Sequence, residues 1–231
     1  MVSNLIYRID VLGEDRLPLQ GPALLVANHV SFVDAFLIAG ASERPIRFLM
    51  FRRYYDMPVA NWFFRAMGCI PISDSDGPRE MLRSLDAARE RLKGGEAVCI
   101  FAEGEISRHG QMLRFKKGFE RIAGGLDIPI IPVHLDRVWG SIFSFEGAKA
   151  LLKWPRRLPY PVTVSFGAPL PSSSTAHVIR QAILDLGADA FGRRLAERAP
   201  LALSFLREAK RHPLRFALAD SLGARLSYGA A

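Results

Sequence analysis

The sequence predicts an α/β fold, a mixed and largely parallel sheet flanked by helices, and three observations lead there. Short apolar runs bounded by turn residues recur along the chain, longer stretches of helical period fall between them, and polar residues follow two of the runs directly. With 231 residues, 49% of them hydrophobic, the chain can bury one large core with or without an appendage, and disorder is excluded for most of it.

The candidate strands, in order, are residues 23–27, 46–51, 70–72, 97–101, 130–135 and 162–166. The clearest helix is "GPREMLRSLDAARERLKGG", residues 77–95. Met81, Leu82, Leu85, Ala88 and Leu92 are assigned to one face, Pro78 suits the first turn, and Gly94 and Gly95 end it. A second long helix is predicted over residues 177–198, after a run at 172–175 that supplies N-cap candidates. Beyond it the chain changes character and is broken by Pro200 and Pro213. Residues 1–200 are therefore read as the main domain, and 201–231 as a linker with something beginning after it.

Lys and Arg number 31 against 23 Asp and Glu, a formal charge of +8 and a sequence pI near 9.9. Such a balance suits an anionic partner, whether lipid surface, nucleic acid or acidic protein, or simply a basic soluble surface. The basic residues are interleaved with apolar ones and form no nucleic-acid motif, so no nucleic-acid partner is expected. Cys69 and Cys99 both sit in apolar runs, which predicts packing as small hydrophobes and no disulfide. The first residues lack the charged start and apolar core of a signal peptide. Residues 23–41 approach the ~20 apolar residues that span a bilayer, but Asn28, His29 and Asp34 lie at their centre, which argues against a membrane-spanning helix.

Those polar residues need a role, because an uncompensated polar group in an apolar setting costs roughly 2–7 kcal/mol. His29 follows the strand at 23–27 almost at once, and Asp34 falls where a helix would begin. After the strand at 97–101 comes "AEGEISRHG", with Glu103 and Gly104 just past the strand end. Ligands of open α/β sheets bind beyond the carboxyl ends of parallel strands, so two loops 74 residues apart in sequence can face one cleft. A His paired with a carboxylate is a general base whose tautomer the acid fixes. Ser31 lacks the G-x-S-x-G elbow of a serine hydrolase. Neither H-E-x-x-H nor a Cys/His spacing supports a metal among His29, Asp34, Glu103 and His109, so no metal and no cofactor is expected. A hydrogen-bonded pair that merely caps a helix is the plainer alternative.

Four segments carry a family resemblance. "NHVSFVD" resembles the N-H-x-S-x-x-D block of the glycerolipid and lysophospholipid acyltransferase superfamily, "GCIPIS" (68–73) the second block, "FAEGEIS" (101–107) the F-P-E-G-T-R-S block, and "IPIIPV" (128–133) the fourth. The resemblance implies the glycerolipid acyltransferase fold and a mechanism in which His29, held by Asp34, takes the proton of a lysophospholipid hydroxyl that then attacks a fatty acyl thioester. It places Asn28, Ser31, Gly68, Ser73, Glu103, Gly104 and Arg108 in the substrate site, with nearby backbone N–H groups holding the oxyanion. The donor would be an acyl carrier protein or coenzyme A thioester, and the location the cytoplasmic face of the inner membrane, on an anionic surface.

This chain departs from the blocks: Ala102, Glu105 and Ile106 replace Pro, Thr and Arg, and Ser73 stands where a basic residue often ends the second block. In relatives that accept a phosphomonoester those arginines are thought to grip the phosphate. Their loss points to 2-acylglycerophosphoethanolamine as acceptor, as in bifunctional bacterial proteins that pair such an acyltransferase with an acyl carrier protein synthetase, unless Arg108 compensates. Asp220, Gly223, Leu226, Ser227 and Tyr228 resemble the opening of an adenylate-forming synthetase domain. The alternatives are a lysophosphatidic acid acyltransferase and a catalytically silent lipid or carrier-protein binding module.

Residues 47–65 mix Arg47, Arg52, Arg53 and Arg65 with seven aromatic rings, a composition that suits a headgroup interface and, almost as well, core packing. The basic loop at 153–161, with Trp154, is a second candidate for anionic docking. His134 reads as a core or edge histidine.

Overall fold

The computed structural model describes residues 6–58, 60–73, 77–144, 159–196, 201–219 and 223–229. Seven strands form one sheet: β1 (Tyr7–Leu12), β2 (Ala23–Ala27), β3 (Ile46–Phe51), β4 (Ile70–Ile72), β5 (Ala97–Phe101), β6 (Ile130–Asp136) and β7 (Tyr160–Phe166), in the order β1-β7-β6-β2-β5-β3-β4. All pairs are parallel except β6 with β7, so β1 and β7 run against the other five strands. The sheet is mixed and mostly parallel, as expected.

β2 lies between β5 and β6 and is buried along its whole length, which is why its sequence, ALLVA, shows no alternation. Its residues serve two cores. Leu25 joins Phe48 and Ile131 beneath Leu37 and Ile38 of α1 (Asp34–Gly40). Leu24 and Val26 face the opposite way, where Leu85, Ala88 and Leu92 of α4 (Pro78–Lys93), Phe119 and Ile122 of α5 (Gly118–Ala123) and Ile179 and Ile183 of α6 (Ala176–Ala196) close over the sheet. Two shorter helices, α2 (Arg52–Tyr55) and α3 (Asn61–Ala66), carry the chain from β3 to β4. The helical face of α4 is narrower than the sequence suggests. Leu82 is exposed, one residue off the stripe formed by Met81, Leu85, Ala88 and Leu92, and Ser84 is buried in its place.

Because β2 to β6 are mutually parallel, their carboxyl ends share one edge of the sheet. The loops that follow β2, β5 and β6 are neighbours at that edge.

The chain divides into two compact units, residues 1–190 and 191–231, a boundary ten residues ahead of the one read from the sequence. In the second, α7 (Leu201–Arg211) precedes a hairpin of β8 (Phe216–Ala219) and β9 (Arg225–Ser227), and the Phe205 ring packs on Tyr228 at 5.1 Å. Residues 153–158 of the basic loop, including Trp154, and Asp220 lie outside the described residues. No described helix is long and apolar enough to cross a membrane.

Candidate active site

The turn after β2 is built around one buried carboxylate. Asp34, 0% exposed at the start of α1, presents Oδ2 to three donors: Nδ1 of His29 at 2.9 Å, the Val30 N–H at 2.7 Å and the Ser31 N–H at 2.9 Å. Three hydrogen bonds on Oδ2, beside the positive end of a helix, offset much of the cost of burying the carboxylate, whose Oδ1 is buried without a hydrogen-bond partner among the described residues. With Nδ1–H donated to the carboxylate, Nε2 keeps its lone pair and becomes the basic nitrogen. The His29 side chain is 20% exposed, and its ring stacks on Phe101, the last residue of β5, with centroids 4.1 Å apart. Asp34 is thus sealed while the imidazole reaches the surface.

The turn after β5 clasps His29 by its backbone. Glu103, 2% exposed, accepts the His29 N–H on Oε1 at 2.7 Å and the Leu113 N–H on Oε2 at 2.7 Å, and the Ser107 N–H donates to the His29 carbonyl at 2.8 Å. Burial pushes the Glu103 carboxyl above its ordinary value, against the pull of the Leu113 and His29 amides. With both oxygens spent on backbone, Glu103 positions His29 and orders the loop at 107–116. Gly104 adopts a left-handed φ of +73°, and the Lys116 side chain lies where a Cβ would stand, its Nζ 2.7 Å from that point.

The other residues singled out in the sequence fall into three groups. Asn28 and Ser31 are buried and structural. Asn28 donates to the Leu135 carbonyl at 3.3 Å and accepts its N–H at 2.8 Å, tying β2 to β6, while the Ser31 hydroxyl donates to the Phe143 carbonyl at 2.8 Å. Ser73, buried, and Arg108, exposed, share the carboxyl edge with His29, though Ser73 follows β4, three strands across the sheet from β2. Gly68 is a correction. It precedes β4, at the amino edge, where its left-handed turn packs under the Arg47 guanidinium, so it cannot line a cleft at His29.

The loop also alters the oxyanion expectation. The N–H groups of residues 29, 30, 31 and 32 are committed to Glu103, Asp34, Asp34 and the Phe143 carbonyl respectively, which leaves none of these four for a substrate oxygen. His134 lies on β6 beside Ser165 of β7 and against Gly187 of α6, away from the imidazole, and burial lowers its pKa. No cluster of metal-ligating side chains occurs among the described residues. Glu103 as a clasp and Lys116 over Gly104 were not legible in the sequence, since their partners are set by a loop fold rather than by spacing.

The geometry agrees with what the chain is similar to. Residues 8–136, more than half the chain, match the family described as Acyltransferase. The chloroplastic 1-acyl-sn-glycerol-3-phosphate acyltransferase BAT2 of Brassica napus is 32% identical over 130 residues, which cover 56% of this chain and 37% of that protein. A probable 1-acyl-sn-glycerol-3-phosphate acyltransferase of Mycoplasma pneumoniae is 27% identical over 184 residues, 74% of this chain and 66% of its own. The matched segment thus spans little more than a third of the plant relative. The crystal structure of the 1-acyl-sn-glycerophosphate acyltransferase PlsC from Thermotoga maritima superposes with a TM-score of 0.63 over 84% of this chain and 74% of that one; at 24% identity this likeness bears on the fold. The mixed sheet, the four ordered blocks and the match over residues 8–136 converge: the chain belongs to the Acyltransferase family, within the glycerolipid acyltransferase superfamily.

Proposed function

We propose that this chain transfers a fatty acyl group from a thioester to a hydroxyl of a lysophospholipid, with His29 as general base and Asp34 as the group that orients it. The observation that carries the reading is the buried Asp34 carboxylate held on His29 Nδ1, with the imidazole still exposed. Nε2 would take the proton of the acceptor hydroxyl as its oxygen attacks the thioester carbonyl. As the thiolate leaves, the imidazolium, stabilised by Asp34, returns that proton to the sulfur. No covalent enzyme intermediate is required.

For the acceptor, the relatives' names favour 1-acylglycerol 3-phosphate over the 2-acylglycerophosphoethanolamine expected from the sequence. The absence of arginine at positions 73 and 106 favours the phosphodiester. Initial rates of the wild-type chain with a single acyl-coenzyme A donor and each acceptor in turn test this. A kcat/KM about tenfold or more higher for the phosphomonoester is the expected outcome, and the reverse order restores the ethanolamine reading. Repeating the assay with acyl carrier protein as donor assigns the thioester.

The reading extends to an anionic membrane surface. Phe51, Tyr54, Met57 and Trp62 are exposed on and around α2 and α3 among Arg53 and Arg65, and the Phe32 ring of the catalytic loop meets Tyr54 edge-on at 5.8 Å. An aromatic and arginine surface continuous with the imidazole loop suits a lysolipid that reaches the site from a headgroup layer. The proposal that residues 201–231 lead into a further domain stands beside it.

A further inference from the structure

Lys116 is a cation that the fold delivers to the turn clasping His29 from outside the family blocks. Its N–H donates to the Ala102 carbonyl at 2.7 Å, fixing its backbone one residue from Glu103, and its side chain runs back over Gly104, with Cδ, Cε and Nζ all within 2.8 Å of the point a Cβ would occupy. Glu103 and Ser107, on either side of Gly104, hold the N–H and the carbonyl of His29. The ammonium therefore sits over the segment that wraps the catalytic residue. Lys116 is exposed, and no carboxylate among the described residues pairs with it. Glu103 is committed to two amides.

An exposed ammonium over the turn that clasps His29 is placed to meet an anionic group of a ligand held at the imidazole. The acceptor's phosphate, bound by that ammonium, would anchor the glycerol whose hydroxyl meets His29. Lysine suits this role as a point charge with three rotatable donors. Gly104 is the permissive element, since any larger residue there would push the ammonium off the turn.

We infer that Lys116 binds the phosphate of the lysolipid acceptor, supplying from the loop before α5 the cation that positions 73 and 106 lack; the inference rests on the acyltransferase reading above. It makes Lys116 a specificity-determining residue. The proton relay stays with His29 and Asp34.

The test uses the full chain, its K116M and K116R variants, 1-acylglycerol 3-phosphate and the phosphate-free acceptor monoacylglycerol in detergent micelles, with glycerol 3-phosphate as a competing phosphate. In K116M the KM for 1-acylglycerol 3-phosphate and the Ki of glycerol 3-phosphate should each rise about tenfold, the loss of one charge-assisted hydrogen bond. The kcat, the donor KM and any turnover of monoacylglycerol should stay within about twofold. K116R should recover most of the loss. An unchanged KM and Ki, or an equal loss on both acceptors, overturns the assignment, and a rise confined to the donor KM moves the ammonium to the phosphates of the thioester carrier. A wild-type chain that turns over no acceptor with any thioester defeats the acyltransferase reading itself, before any variant is made.

Discussion

The two edges of the sheet use charge in opposite ways. At the carboxyl edge Asp34 is sealed from water, accepts three N–H donors and holds an imidazole that reaches the surface. At the amino edge Glu96, just before β5, bridges Arg47 of β3 and Arg91 of α4 with its side chain 27% exposed. The same strands thus end in a preorganised buried site on one side and in a solvated ion-pair cluster on the other. The lesson is about cost: a buried carboxylate survives only where the backbone is shaped around it, whereas a half-exposed one needs little support and contributes little.

The largest expected effect comes from breaking the sealed edge at its centre. D34N keeps the side chain's shape but removes the charge that fixes the Nδ1–H tautomer and stabilises the imidazolium, so kcat should fall by ~10²–10⁴, the usual worth of positioned general base catalysis. Circular dichroism and a melting curve should show a folded protein. A D34N chain that transfers acyl groups at the wild-type rate removes the base from the mechanism and leaves the pair as a helix cap.

Next in size is the clasp. E103A strands the His29 and Leu113 amides in a part-buried setting, at ~1–3 kcal/mol for each donor left unpaired. It also releases the backbone of His29, the proposed base, so activity should fall together with melting temperature. If E103A instead raises KM for the acceptor with no loss of stability, Glu103 contacts substrate, as the sequence suggested.

This contrast between clasp and contact marks where the sequence stops being readable. Six strands were legible almost to the residue because they are short, continuous or nearly continuous apolar runs, as central parallel strands such as β2 and β5 must be. β1 was missed, although Tyr7, Ile9 and Val11 alternate with Arg8 and Asp10, because charged residues on its wet face make it look like a loop beside such runs. Within the site, the His29 and Asp34 pair was visible because its partners lie five residues apart on one turn. The clasp made by Glu103 was hidden because its partners are 74 and 10 residues away, brought together only by the adjacency of β2 and β5 and by the loop before α5. Gly68 was misplaced for a related reason. A motif block gives order along the chain but not which edge of the sheet each residue meets, and Gly68 precedes its strand while Ser73 follows it.

The smallest effect is expected at the amino edge and closes the comparison. Burial raises the Glu96 carboxyl, but hydrogen bonds and charge from Arg47 and Arg91 outweigh it and hold the group below its ordinary value. A carboxylate lowered in the folded state stabilises above its unfolded pKa, and that stabilisation is lost as pH falls through the folded value. E96Q should therefore cost stability at pH 7 and nothing in strong acid. Because the pair is solvated, the cost should not exceed ~1 kcal/mol and should shrink in high salt. Acyl transfer should be unchanged, since the ion pairs lie a strand length from the imidazole. A melting curve and a rate at pH 7 check both halves. A loss of activity without a loss of stability would mean that the two edges are coupled through β3 and β5, and that the amino edge is more than a tether.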